Sequence, residues 1–193
     1  MADTPTQITL NGTNGALKTD QRVERKLLLT VVEWSEGSDT QVRELLGKRT
    51  EDSSIEYNAD VETTTDILGI NYTDVNNTQP QQDFDPYLVL GNSKLAAKLN
   101  DIRRRNALSE LNQFTAYIIT AFCGTAGKYE AEQHSGCTIT YNSIGGDSNV
   151  NFPISLYFSN NITRGTVDKL SDDFTFTADT ASSSRSTSLN SVE

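Results

Sequence analysis

The chain has 193 residues, 26 of them Asp or Glu and 16 Lys or Arg, for a formal net charge of -10 and a pI near 4.6. That length suits one ordinary domain with one core. The longest apolar stretch, residues 114–122, is broken by Thr115, Tyr117 and Thr120 and falls well short of the roughly 18 to 20 residues of a membrane span, and a surface this acidic repels phosphate. A membrane-spanning or duplex-gripping protein is therefore disfavoured.

Residues 1–22 are rich in Thr, Asn and Gly and are expected to form a flexible N-terminal arm. They contain no basic segment followed by an apolar one, so folding in a cytoplasm is expected. The two cysteines, Cys123 and Cys137, then read as reduced, partly buried thiols. A β domain is expected over residues 23–179. It opens with the apolar, β-branched run 26–34, a Ser-Glu-Gly-Ser-Asp turn, and a segment 41–47 whose spacing fits helix and strand equally.

Residues 51–62 alternate strictly. Ser53, Ile55, Tyr57, Ala59 and Val61 fall on one face and Asp52, Glu56, Asp60 and Glu62 on the other, which predicts a strand with a dry side and an acidic side. Residues 63–72 continue in β-rich composition, and 76–86, with two prolines, read as a loop or arm. Ser93 then caps a predicted helix over 93–105, with Leu95, Leu99 and Ile102 on one stripe. Beyond it, 114–122 reads as a strand, 137–143 and 150–158 as a hairpin about the Gly145-Gly146-Asp147 turn, and 165–167 and 173–177 as short strands. Residues 180–193, rich in Ser and Thr, are expected to be a flexible tail. The fold expected is mainly β, a β-sandwich or partial barrel, with one packed α-helix.

No catalytic residue, metal or cofactor is expected, and the protein does not read as an enzyme. The only histidine, His134, lies among Glu132, Gln133 and Ser135, neighbours that rarely form a catalytic line, and it reads as a surface-loop residue. His134 with Cys123 and Cys137 lacks the spacing of a soft-metal site. Asp83 with Asp85, and Asp172 with Asp173, read as solvated loop charges. Arg103, Arg104 and Arg105 fall at the helix C-terminus, where cations meet the helix dipole; inter-subunit ion pairs are the second reading.

Residues 44–58 (ELLGKRTEDSSIEYN), 62–75 (ETTTDILGINYTDV) and 79–86 (QPQQDFDP), followed by the helix near 94–105, KYEAE at 128–132, CTIT at 137–140, Gly145-Gly146-Asp147 and DFTFTAD at 173–179, resemble in collinear order the major tail tube protein of long-tailed, non-contractile bacteriophages and prophages of Gram-positive hosts. The resemblance implies a structural virion protein, assembled in the host bacterial cytoplasm into hexameric rings that stack axially as the tail tube. It also implies a tape measure protein and a tail terminator as partners, and viral double-stranded DNA that passes through without specific binding. The candidate channel lining is Asp52, Glu56, Asp60 and Glu62. The candidate contact between rings is the 76–86 segment, with Phe84, Asp85 and Pro86 and with Phe84 as its apolar anchor. A tube of a contractile tail or secretion-type injection machine is the alternative. A carbohydrate-binding β-sandwich is a more distant one, because Trp34 is the sole tryptophan and no aromatic platform is visible.

Overall fold

A computed structural model describes residues 22–37, 40–125 and 127–179. The expected arm, apart from Arg22, the expected tail and the end of the 35–39 turn lie outside them. The described chain is mainly antiparallel β with a single α-helix, as its patterning predicts. Its strands are β1 (Leu28–Glu36), β2 (Thr40–Leu45), β3 (Ile55–Glu56), β4 (Asp60–Thr65), β5 (Asn71–Asn77) and β6 (Gln81–Phe84). The helix α1 (Lys94–Arg105) precedes β7 (Phe114–Thr125), β8 (Lys128–Tyr141), β9 (Ile154–Tyr157), β10 (Ile162–Val167) and β11 (Phe176–Ala178). The main sheet runs β2-β1-β7-β8-β9-β6-β3, with β10 joined to β8 and β11 to β10; β4 and β5 form a separate two-stranded sheet.

The ambiguous 41–47 segment is a strand, since β2 pairs with β1 from Val31↔Leu45 to Glu36↔Thr40. β1 and β7 are apolar without alternation because both of their faces are covered. One face joins a core with Trp34, Phe84, Leu95, Leu99, Ile102, Phe114, Ile139 and Leu156. The other joins a core with Leu29, Val31, Tyr117, Ile119, Leu170 and Phe174. Arg43 closes the second, its guanidinium 4.4 Å from the Phe174 ring centroid and bonded to Glu33 and to the Phe174 carbonyl.

β8 serves both limbs of the sheet: Tyr129 to His134 pair with β10, and Thr138 to Tyr141 with β9. Between these stretches the β7 register steps from Phe114↔Cys137 to Thr115↔Ser135, leaving Gly136 as a bulge with φ +80°. A bulge bends its strand, and this φ is open to glycine at little cost.

The helix forms as its cap and stripe predict. Ser93 Oγ accepts from the Ala96 amide at 3.4 Å, Leu95, Leu99 and Ile102 are buried, and Asn106 ends the helix in the left-handed conformation. Glu44 reaches its N-terminus from β2, accepting from the Leu95 amide (2.8 Å), Ser93 Oγ (2.9 Å) and Tyr87 Oη (2.7 Å). A buried carboxylate is tolerable there because the amides and the helix dipole take the place of water. Burial and then the Glu44 charge push the Tyr87 phenol well above its ordinary range.

Three sequence expectations are corrected. Residues 51–62 are not one strand with a dry face: the chain breaks at Asn58, which has φ +42°, into β3 and β4, and Tyr57 and Val61 are exposed. Residues 76–86 are not a loop: they carry the end of β5 and all of β6, whose Gln82 and Phe84 point inward between β3 and β9. His134 is not on a surface loop but buried on β8, where Nδ1 donates to the Ser159 carbonyl at 2.8 Å.

Candidate functional site

Between Thr50 and Ser93 the chain carries nine carboxylates and no Lys or Arg. The structure divides this tract. Asp52 and Glu56 stay on the body, where with Asp83 and Asp85 they border a shallow depression of about 200 Å³. Asp60 and Glu62 lie on the β4–β5 hairpin. The four candidate lining residues are exposed but do not share one strand face, because Asn58 and a register shift between Asp60 and Val61 interrupt the alternation.

The hairpin has two different faces, each exposed. Val61 stands opposite Val75, Thr63 opposite Thr73 with their hydroxyls 3.1 Å apart, and Thr65 opposite Asn71, to which it donates at 2.6 Å. On the reverse, Glu62 faces Asp74 and Thr64 faces Tyr72. Like charges directly opposite one another disfavour pairing, and a two-stranded hairpin is marginal by itself in water. The turn supplies local order: Asp66 Oδ1 accepts from the Leu68 and Ile70 amides at 2.8 and 2.9 Å, and Gly69 takes φ +78°. This rigid turn presents Ile67, fully exposed, and Leu68, 77% exposed. Sequence reasoning missed this tip because Ile67-Leu68-Gly69-Ile70 reads as more strand. The legible signal was Asp66 three residues before Gly69 between Thr-rich strands.

The other candidates are used within the chain. Phe84 is 1% exposed in the helix-side core, so it is not an available anchor between rings. Asp85 accepts from Asn151 Nδ2 at 3.3 Å, and the Pro86 carbonyl accepts from Thr50 Oγ1 at 3.0 Å. Arg103 donates to Asn100 Oδ1, and Arg105 donates to Asp101 and Glu110 at 2.8 Å each, while Arg104 is exposed. Glu110 also receives Lys98 Nζ at 2.7 Å, and these bonds, Arg105 first, pull its carboxyl down to about 2. Arg103 and Arg105 thus serve their own helix and the turn at Leu108–Asn112.

Catalytic geometry does not form around His134. Its Nε2 lies 3.9 Å from Glu132 and has no hydrogen-bond partner among the described residues, and Ser135 points to the opposite side of β8. Cys137 donates to the His134 carbonyl, and burial pushes its thiol up. Both cysteines are free. Among the described residues, no three His, Cys, Asp or Glu side chains converge as a metal site. Trp34 is buried, so it offers no sugar platform.

No family model and no curated protein matches the sequence. Among solved structures, the chain is similar to one from the sheath-tube complex of an extracellular contractile injection system, PVC, in its extended state, with a TM-score of 0.44 and 14% identity over 77% of this chain and 95% of that one. It is similar to the same degree, TM-score 0.44 and 14% identity over 78% and 95%, to a chain of the anti-feeding prophage cap, a tube terminating cap.

Proposed function

We propose that this chain is a subunit of a self-assembling tail or injection tube. The observation that carries the proposal is the β4–β5 hairpin, which has no core of its own and holds Ile67 and Leu68 in water on an ordered turn. Exposed apolar side chains on a rigid projection favour burial against another molecule. Among the described residues β2, β3 and β11 are edge strands, and ring closure would satisfy their outer backbone groups. Such a subunit makes heterologous contacts, one surface meeting a different surface on the next copy, which generate rings and stacks. The collinear sequence resemblance supplies the specific form: hexameric rings stacked axially, ended by a terminator, filled by a tape measure protein during assembly, and later traversed by DNA.

The acidic tract has a role in this reading. Each Lys or Arg facing a moving duplex would add salt-dependent affinity, so a carboxylate lining keeps DNA mobile. Of the four candidates, Asp52 and Glu56 on the body remain the proposed lining, while Asp60 and Glu62 go with the hairpin. The phage tail without a sheath and the sheathed injection machine share this inner wall and differ on the outside, where a sheath requires a second protein.

Negative-stain microscopy of the concentrated protein tests the proposal. Filaments or rings with a central channel are expected, and monodisperse monomers at every concentration would overturn it. Co-expression with neighbouring genes separates the two forms, since a sheathed tube purifies with a coat around it.

A further inference from the structure

We infer that the hairpin tip of one copy seats in a basic, apolar-floored cleft on the next, a head-to-tail contact that rests on the tube reading and names the two surfaces that join. The cleft, about 330 Å³, opens between the start of β1 and the end of β2. Half-buried Leu28 forms its apolar floor above the buried Leu46 and Phe84, and Arg25, Lys48 and Lys26, the last paired with Glu24, stand around it. Glu51 is the single carboxylate among its lining residues.

Charge selects this cleft over its alternatives. The incoming hairpin carries Asp60, Glu62, Asp66 and Asp74 and no cation. A larger groove of about 950 Å³ across β7, β8 and β10 sets Glu130, Glu132 and Asp179 against Arg25 and Arg164, and one of about 580 Å³ beside β2 sets Glu44, Asp172 and Asp173 against Arg43, Lys48 and Lys94. Neither has an excess of cations, so neither draws an acidic partner by charge. Of these three, the cleft between β1 and β2 has the excess of cations, Arg25, Lys26 and Lys48 against Glu51. It therefore matches the tip in both properties: Ile67 and Leu68 for the floor, and the acidic strands for the rim. Arg25 is already fixed there, donating to the Ser53 carbonyl at 2.6 Å, so its charge is held in place before the partner arrives.

Among the described residues the tip is exposed and the cleft is open, so one copy does not satisfy both. Each copy thus donates one tip and accepts another, and the contact propagates.

The test uses a Cys123→Ser parent carrying both Leu68→Cys and Lys48→Cys, treated with a short bismaleimide at concentrations where oligomers form. A ladder of covalent multimers is expected from the double variant, with nothing beyond dimers from either single variant. Leu68→Glu should unfold in urea like the parent yet lose assembly at least tenfold in concentration dependence. Oligomers that form without the ladder would overturn the seating and leave the tube standing. Protein that stays monomeric by sedimentation would overturn both. No cross-link, with the Lys48→Cys thiol already shielded in the monomer, would give the cleft to the chain's own residues 1–21 and overturn the seating as well.

Discussion

Glu110 links α1 to the turn that follows it through two cations, Arg105 and Lys98. Its carboxyl is held at about 2 by hydrogen bonds from Arg105 and then Lys98, against an ordinary 4.5. A group depressed on folding contributes stability above its unfolded pKa and loses it as the pH falls through the folded one. The contribution should therefore be complete above about pH 4.5 and fade toward pH 2. Glu110→Gln is expected to destabilise the protein at pH 7 and to leave a shallower loss of stability between those values, which urea titrations at a series of pH values will measure. Exposure of the pair keeps the effect modest, because solvent screens it. Phe84 carries a different lesson at the same scale. As one aromatic between Asp83 and Asp85, two residues before Pro86, it reads as a loop anchor; only pairing of β6 with both β3 and β9 turns it into the core.

At the scale of elements, β8 depends on one residue for its double service. Gly136 has φ +80° with open space where a Cβ would stand, so conformation and not crowding restricts the position. Gly136→Ala is expected to cost about 1–2 kcal/mol, the penalty of a left-handed backbone on an L-residue, readable as a lower urea midpoint with an unchanged slope. The helix was legible in the sequence because its cap, stripe and terminal arginines agree with one another, and the 137–143 and 150–158 hairpin because Phe152, Ile154 and Leu156 alternate into the core. The 51–62 segment misled because alternation reports only that two faces differ. Whether the apolar face is covered depends on partners distant in sequence or on another chain, and Asn58 turns the strand away from the body. The first half of β8 carries Glu130, Glu132 and Gln133 and owes its strand to β7 and β10 on either side, a tertiary effect that local pattern does not carry. Of the candidate site, the acidic residues were legible and their division into two patches was not.

Across the whole molecule, charge is unevenly placed. The 50–93 tract is purely acidic, while Arg25, Lys26 and Lys48 gather at one cleft. In the tube reading, the acid of the body protects the passage, and the acid of the hairpin meets the base that joins the copies. Replacing Asp52 and Glu56 together with Lys, both exposed and neither lining the cleft beside Lys48, should leave fold and tube formation intact but slow DNA release from assembled particles by an order of magnitude or more at low salt, about as expected for added phosphate contacts. Ejection kinetics followed by a DNA-binding dye will measure it, and the delay should shrink as salt rises.

Trp34 gives the molecule an optical property that follows from its packing. It is the sole tryptophan, 3% exposed, with its ring edge-on to Phe114 at 6.2 Å, inside the core that α1 closes. The indole therefore emits from an apolar cage that neither the hairpin tip nor the acidic tract enters. Its emission colour follows the integrity of the subunit, while scattered light follows the number of subunits joined, so folding and polymerisation can be watched in one cuvette without attaching a label.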